Sequence, residues 1–165
     1  MSLILSGNSG SMTVDSTAGV TFPFGTNAQA APSKVLQVVQ FSTNSQFSTT
    51  SGSPVSSGFS ASITPLFSTS KILILMNFNA GISVSGANNN FFIYRNTTPT
   101  GYRLTAGYVQ ATAFLGTSAA LCYLDSPATT SSTTYNLYVG ADSGTAYVRG
   151  DPYSYTTITL LEIAQ

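Results

Sequence analysis

Lys and Arg number five and Asp and Glu five in a chain of 165 residues, and this poverty of charge constrains the fold more than any other feature. A helix on a protein surface needs solvated side chains along its outer face, which Glu, Lys and Arg ordinarily furnish. Charged residues make up only 6% of this chain, against about a quarter in ordinary globular domains. Ser, Thr and Asn stand in their place, beside Val, Ile, Tyr and Phe, a mixture that favours strands. Hydrophobic residues at 42% suffice for a core, so the hydroxyl-rich composition belongs to a folded chain. An all-β domain follows, and the length suits one such domain with a short arm.

The pattern along the chain divides at Pro32. Residues 1–33 scatter short apolar touches (Leu3 to Leu5, Val20 to Phe24) among Gly, Ser and Asn, and read as an N-terminal arm. Residues 34–165 read as the sandwich domain. Strands are predicted over Lys34 to Phe41, Phe59 to Thr64, Lys71 to Phe78, Phe91 to Arg95 and Tyr102 to Phe114. Others are predicted over Ala119 to Asp125, Thr133 to Gly140, Thr145 to Arg149 and Thr156 to Ile163. Lys71 to Phe78, the most apolar run, has no helical stripe and reads as a central strand covered on both faces. Ser42 to Gly58 is polar, with Gly52, Pro54 and Gly58, and reads as a mobile exposed loop. A turn is placed at Gly86 to Asn90, a loop through Pro99 and Gly101, and a hairpin turn at Asp142 to Gly144. About eight strands with turns every 8 to 12 residues indicate an antiparallel β-sandwich, jelly-roll-like. There is no repeat of 20 to 50 residues to indicate a solenoid or propeller.

Residue types then remove chemistry. The chain contains no histidine, which excludes Ser-His-Asp and Cys-His mechanisms and leaves zinc without its usual ligands. The one cysteine, Cys122, sits in the apolar run Ala119 to Leu124 and reads as a buried inert thiol. Glycoside hydrolysis needs two carboxylates, and the five available are Asp15, Asp125, Asp142, Asp151 and Glu162. Each Asp precedes a Ser-Pro, Ser-Gly, Ser-Thr or Pro turn, where a short acceptor bonds its own backbone. Glu162 lies between Leu161 and Ile163, so alternation directs it to the opposite face, towards solvent or a partner. No catalytic residue, cofactor or metal site is therefore assigned. A net charge of zero gives no footprint for nucleic acid, and no apolar run is long enough for a membrane helix. The start of the chain lacks the basic region of a signal peptide, so synthesis in a cytoplasm is expected.

Tyr94, Tyr102, Tyr108, Tyr138 and Tyr147 fall in predicted strands, at positions more often half-buried than ligand platforms; Tyr153 and Tyr155 are the better surface candidates. The Asn96-Thr97-Thr98 tripeptide matches a glycosylation sequon without a secretory context.

Four phrases carry a resemblance: Lys34 to Gln40 (KVLQVVQ), Ile63 to Pro65 with Ser68 to Ile74 (ITP and STSKILI), Leu124 to Thr130 (LDSPATT) and Ile158 to Ile163 (ITLLEI). In order and spacing this set, covering residues 34–165, resembles a β-rich jelly-roll module of tailed-phage virion proteins, found in capsid decoration proteins and tail fibres. The resemblance implies a homotrimeric structural protein and no enzyme. With no shaft before the module, a decoration or cement protein on the capsid surface is the favoured expectation. Its partner would be the major capsid protein, contacted through Leu3, Leu5, Phe22 and Phe24 of the arm. The alternative is a short tail fibre or receptor-binding tip, whose loops, such as 42–58 and 87–90, would touch host surface glycans. A glycan depolymerase is the third reading, disfavoured by the carboxylates.

Overall fold

The computed structural model describes residues 34–83, 88–106, 115–149 and 154–165. The arm, with Leu3, Leu5, Phe22 and Phe24, lies outside the described residues, as do Asp15, Tyr108, Asp151, Tyr153 and the turn residues 86 and 87.

Ten strands run through the described chain: β1 (Val35–Thr43), β2 (Phe47–Thr49), β3 (Val55–Ile63), β4 (Lys71–Ile82), β5 (Asn89–Arg95), β6 (Thr98–Ala106), β7 (Leu115–Asp125), β8 (Thr133–Ala141), β9 (Ala146–Arg149) and β10 (Thr156–Ile163). Every pairing between them is antiparallel. One sheet runs β3-β8-β5-β6. In the other, β4 holds β7 along one edge, while its opposite edge pairs first with β10 and then with β9. β1 lies outside β10, and β2 outside β9. Leaving aside the short β2–β9 pair, the orders β1-β10-β4-β7 and β3-β8-β5-β6 are those of a jelly roll, two Greek keys folded face to face. Eight of the nine expected segments are the long strands of the roll, and the ninth, Thr145 to Arg149, is the short β9.

Period-two alternation makes the core. On β4 the inward residues Ile72, Ile74 and Met76 are fully buried, as are Ile158 and Leu160 of β10. From the facing sheet come Phe91, Ile93, Tyr135, Leu137 and Val139, all at zero exposure. Phe78 meets Phe91 with ring centroids 4.7 Å apart, a tilted contact between the two sheets. The two long sides are closed by further ring pairs, Phe41 with Phe59 between β1 and β3 and Tyr102 with Tyr123 between β6 and β7.

Several local expectations change. The stretch 42–58 holds β2 and the start of β3, because Phe47 and Val55 supply strand positions within the polar run. Pro99 and Gly101 lie inside β6, on an edge where a missing N–H costs no ladder bond. The chain reverses instead at Asn96, whose φ of 54° suits asparagine. The Asn96 carboxamide oxygen accepts from the Thr134 amide at 3.0 Å, tying the turn to β8 and engaging the sequon side chain. Asp142 to Gly144 do not form a hairpin: β8 and β9 belong to different sheets, so the turn crosses the sandwich.

At one end a polar cluster ties the sheets together. Asp125, the last residue of β7, accepts from the Tyr135 hydroxyl at 2.7 Å and from the Arg95 guanidinium at 3.0 and 3.2 Å. The expected turn bond of Asp125 to its own backbone is replaced by these partners on β8 and β5. Burial, then the hydrogen bond to Asp125, raise the Tyr135 pKa far above that of an ordinary phenol, so the hydroxyl remains a donor. Removing it leaves a buried carboxylate with Arg95 alone. Tyr135→Phe is therefore expected to cost about 1.5 to 3 kcal/mol, the range for hydrogen bonds to charged groups, as a lowered urea midpoint with unchanged slope.

Candidate interaction surface

The outward positions of β1, β10, β4 and β7 define one face, and the register aligns them in rows. Val38 pairs with Leu161, Leu161 with Leu73, and Leu73 with Leu124. Because paired residues share a face, this is a continuous apolar row across four strands. Its ends are open: Val38 is 58% exposed and Leu124 48%. Val35, Ile163 and Lys71 form the next row towards the chain ends. On the other side the row Gln40, Thr159, Leu75 and Cys122 is mixed, with the Gln40 amide donating to the Thr159 hydroxyl at 3.0 Å. No described strand packs over this face. β4 was expected to be covered on both sides, yet its outward Leu73 and Leu75 are only half-buried and Asn77 is exposed. Cys122 likewise faces outward and is exposed, not buried, because Leu121 takes the inward place.

A buried carboxylate shapes the rim of this face. Glu162, expected at solvent or a partner, points inward with zero exposure. Alternation did turn it away from Leu161 and Ile163, but the inner side at this end is lined with donors. Its Oε2 accepts from the Gln37 amide at 2.6 Å, and the same nitrogen donates to the Thr64 carbonyl at 2.7 Å. Its Oε1 accepts from the backbone amides of Leu66 and Phe67 at 2.8 and 3.4 Å. Both amides of the β3–β4 connection are thereby tied to the interior, and the two side chains stand outside, 60% and 56% exposed. Leu66 and Phe67 thus join Val35, Val38 and Leu124 at the same end of the sandwich.

The four phrases quoted above converge here. They supply β1, the β3–β4 connection with the first residues of β4, the end of β7, and β10. Gln37, Thr64 and Glu162, from three of the phrases, are joined by hydrogen bonds, whereas Asp125 of the fourth bonds to Arg95 and Tyr135.

The acids are otherwise engaged. Glu162 and Asp125 both flank Ile72 in the register, two strand spacings or about 10 Å apart, each fully occupied by structural donors. Asp142 accepts from the Asn88 and Asn90 amides at 3.1 and 2.6 Å rather than from its own turn. No group of three His, Cys, Asp or Glu residues lies together among the described residues. Tyr94, Tyr102, Tyr138 and Tyr147 are half-buried as strand positions predicted, with Tyr94 and Tyr138 stacked at 3.8 Å, while Tyr155 is exposed. The apolar row itself escaped sequence reading because Leu73, Leu161 and Leu124 look like core residues. Only the register shows that they share an open face.

The surroundings of β7 complete the surface. Its eleven residues pair only with β4, so its outer edge has no strand partner among the described residues. Proteins usually protect such an edge with Lys, Pro or a bulge. None of these occurs in Leu115–Asp125.

No family model matches the chain, and no curated protein matches it. Among solved structures, the VP2 subviral particle of infectious bursal disease virus is similar over 77% of this chain and 41% of its own, at 15% identity and a TM-score of 0.45. The Gx strain of the same virus matches at 14% identity and a TM-score of 0.42, over 77% of this chain and 40% of its own. T=1 particles derived from that virus match at 14% identity and 0.46, over 84% and 43%. The chain spans about two-fifths of the length of these viral proteins.

The Glu162 cluster has a pH signature. Burial raises the carboxyl pKa, but the bonds from the Gln37 amide and the Leu66 and Phe67 backbone amides outweigh it and hold the pKa below the ordinary 4.5. Ionised Glu162 therefore contributes stability that is fully present above the unfolded value and is lost as pH falls through the native one. Thermal melts across the acid range should show this fall, and Glu162→Gln should flatten it while lowering the melting temperature at neutral pH.

Proposed function

We propose that the chain is a bacteriophage virion subunit, a non-enzymic trimeric decoration or cement protein that bridges and stabilises the capsid shell. The carrying observation is the open row Val38, Leu161, Leu73 and Leu124, extended at the rim by Leu66 and Phe67. A contiguous apolar patch on a small domain marks an association surface. Copies meeting about an axis would cover it, each buried Val or Leu contributing about 1.5 to 3 kcal/mol. The edge of β7, without a strand partner among the described residues, offers strand addition as a second contact. A neutral, hydroxyl-rich exterior suits dense packing, since identical subunits then do not repel one another.

In this reading the face makes the trimer, and residues 1–33, with Leu3, Leu5, Phe22 and Phe24, join it to the major capsid protein. Many weak attachments over one shell then act together, and binding only the assembled shell stabilises it by mass action. The subunit works on the capsid surface after synthesis in the host cytoplasm, with neither nucleic acid nor membrane as partner.

Sedimentation velocity should find a trimer of the wild-type chain. Val38→Lys combined with Leu124→Lys, both at exposed positions, should give a monomer with an unchanged circular dichroism spectrum; a trimer surviving the pair would sink the interface. Deleting residues 2 to 24 should keep the trimer and abolish capsid binding. Adsorption of the purified protein to host cells rather than capsids would move it to a tail tip.

A further inference from the structure

Where β4 exchanges partners, the outer face opens. Asn77 is the last residue paired with β10, opposite Thr157, and Asn79 is the first paired with β9, opposite Arg149. Beside this exchange a cleft of about 350 Å³ lies over β4 and β7, lined by Asn77, Phe78, Asn79, Ser118, Ala119, Ala120 and Tyr155. That volume is at the small end for ligand clefts. Phe78 and Ala119 turn their side chains inward and offer only backbone to the floor. Asn77, Asn79, Ser118 and Ala120 point outward, and Tyr155 stands beside them, 54% exposed. The cleft lies about 14 Å along β4 from the apolar row, four residues at strand rise.

The chemistry of this lining is specific. No described charged side chain contributes to it. The Ser118 hydroxyl donates to the Asn79 carboxamide oxygen at 3.2 Å, which fixes that amide with its N–H groups outward. Among the described residues the Asn77 side chain and the Tyr155 hydroxyl have no hydrogen-bond partner, which leaves their donors and acceptors open to a ligand. Small residues at 118, 119 and 120 keep the floor low, and the Tyr155 ring supplies a flat apolar wall. A ring with an apolar C–H face and a polar rim of hydroxyls answers all three properties: it stacks on the tyrosine and exchanges hydrogen bonds with the two amides.

We propose that this cleft binds a neutral saccharide unit, Tyr155 stacking on the sugar ring and Asn77 and Asn79 bonding its hydroxyls. This goes beyond the shell-bridging role and does not depend on it: it would give a subunit that is many copies strong a weak grip on a glycan surface, multiplied by valency. Each site alone should be weak, with Kd about millimolar.

The test uses the full-length protein and saturation-transfer NMR with D-glucose, D-galactose, D-mannose and N-acetylglucosamine. At least one should show transfer to its ring protons. Tyr155→Ala should weaken binding by about tenfold or more, as expected for the loss of one aromatic stack. Ala120→Leu, which fills the floor from an exposed position, should do the same. Both variants should melt as the wild type does and keep its oligomeric state and capsid binding, so a failure of the trimer reading is read separately. Absence of transfer from all four sugars, or full binding retained by either variant, would overturn the proposal.

Discussion

Two buried carboxylates on either side of Ile72 govern how this sandwich closes at one end. The strands around them gain their stability from apolar burial, which is not directional and would tolerate a slipped edge or a splayed loop. Carboxylates taken out of water tolerate neither, because each must find its donors or be protonated. Glu162 finds them in Gln37 and in the amides of the β3–β4 connection. Asp125 finds them in Tyr135 and Arg95 of the opposite sheet. In a chain with so little charge, two of its few acids are thus spent on fixing where strands end. The external position of Leu66 and Phe67 is a direct result.

What could be read in the sequence follows the range of the forces involved. Alternation is local, so the long strands, the sandwich and the inward residues of β10 and β8 were legible from Thr156 to Ile163 and Thr133 to Gly140. Burial that depends on register was not. Cys122 and Leu121 are adjacent in one apolar run, and only the pairing with Leu75 and Met76 decides which of them faces the core. Glu162 shows the same limit: alternation turned it to the correct side, yet the donors that make that side habitable come from residues 37, 66 and 67. β2 was missed because three residues carry no period, and its strand state rests on pairing with β9. Of the candidate surface, Tyr155 was legible as an exposed aromatic, whereas the apolar row and the cleft exist only once four strands are aligned.

The outer face of the larger sheet is chemically divided along β4. At the end where the strand begins, leucines and valines face out; beyond Leu75 the outward residues are Asn77 and Asn79. One strand thereby serves an apolar contact and a polar cleft without either intruding on the other, while its inward residues form the core common to both.

The pairing of β1 with β10 also sets the order of events in folding. Val35 meets Ile163 and Thr43 meets Thr156, so the first strand of the domain must await the last to leave the ribosome. Until then Val38 and its neighbours have no ladder to join, and the nascent domain is a roll lacking one side. Such long-range closure makes folding slow by entropy alone. In the interval the unmatched edges of sister chains are in reach of one another. The sparsely charged, hydroxyl-rich exterior exists only after closure; before it, open edges and apolar surface are what neighbouring chains can reach.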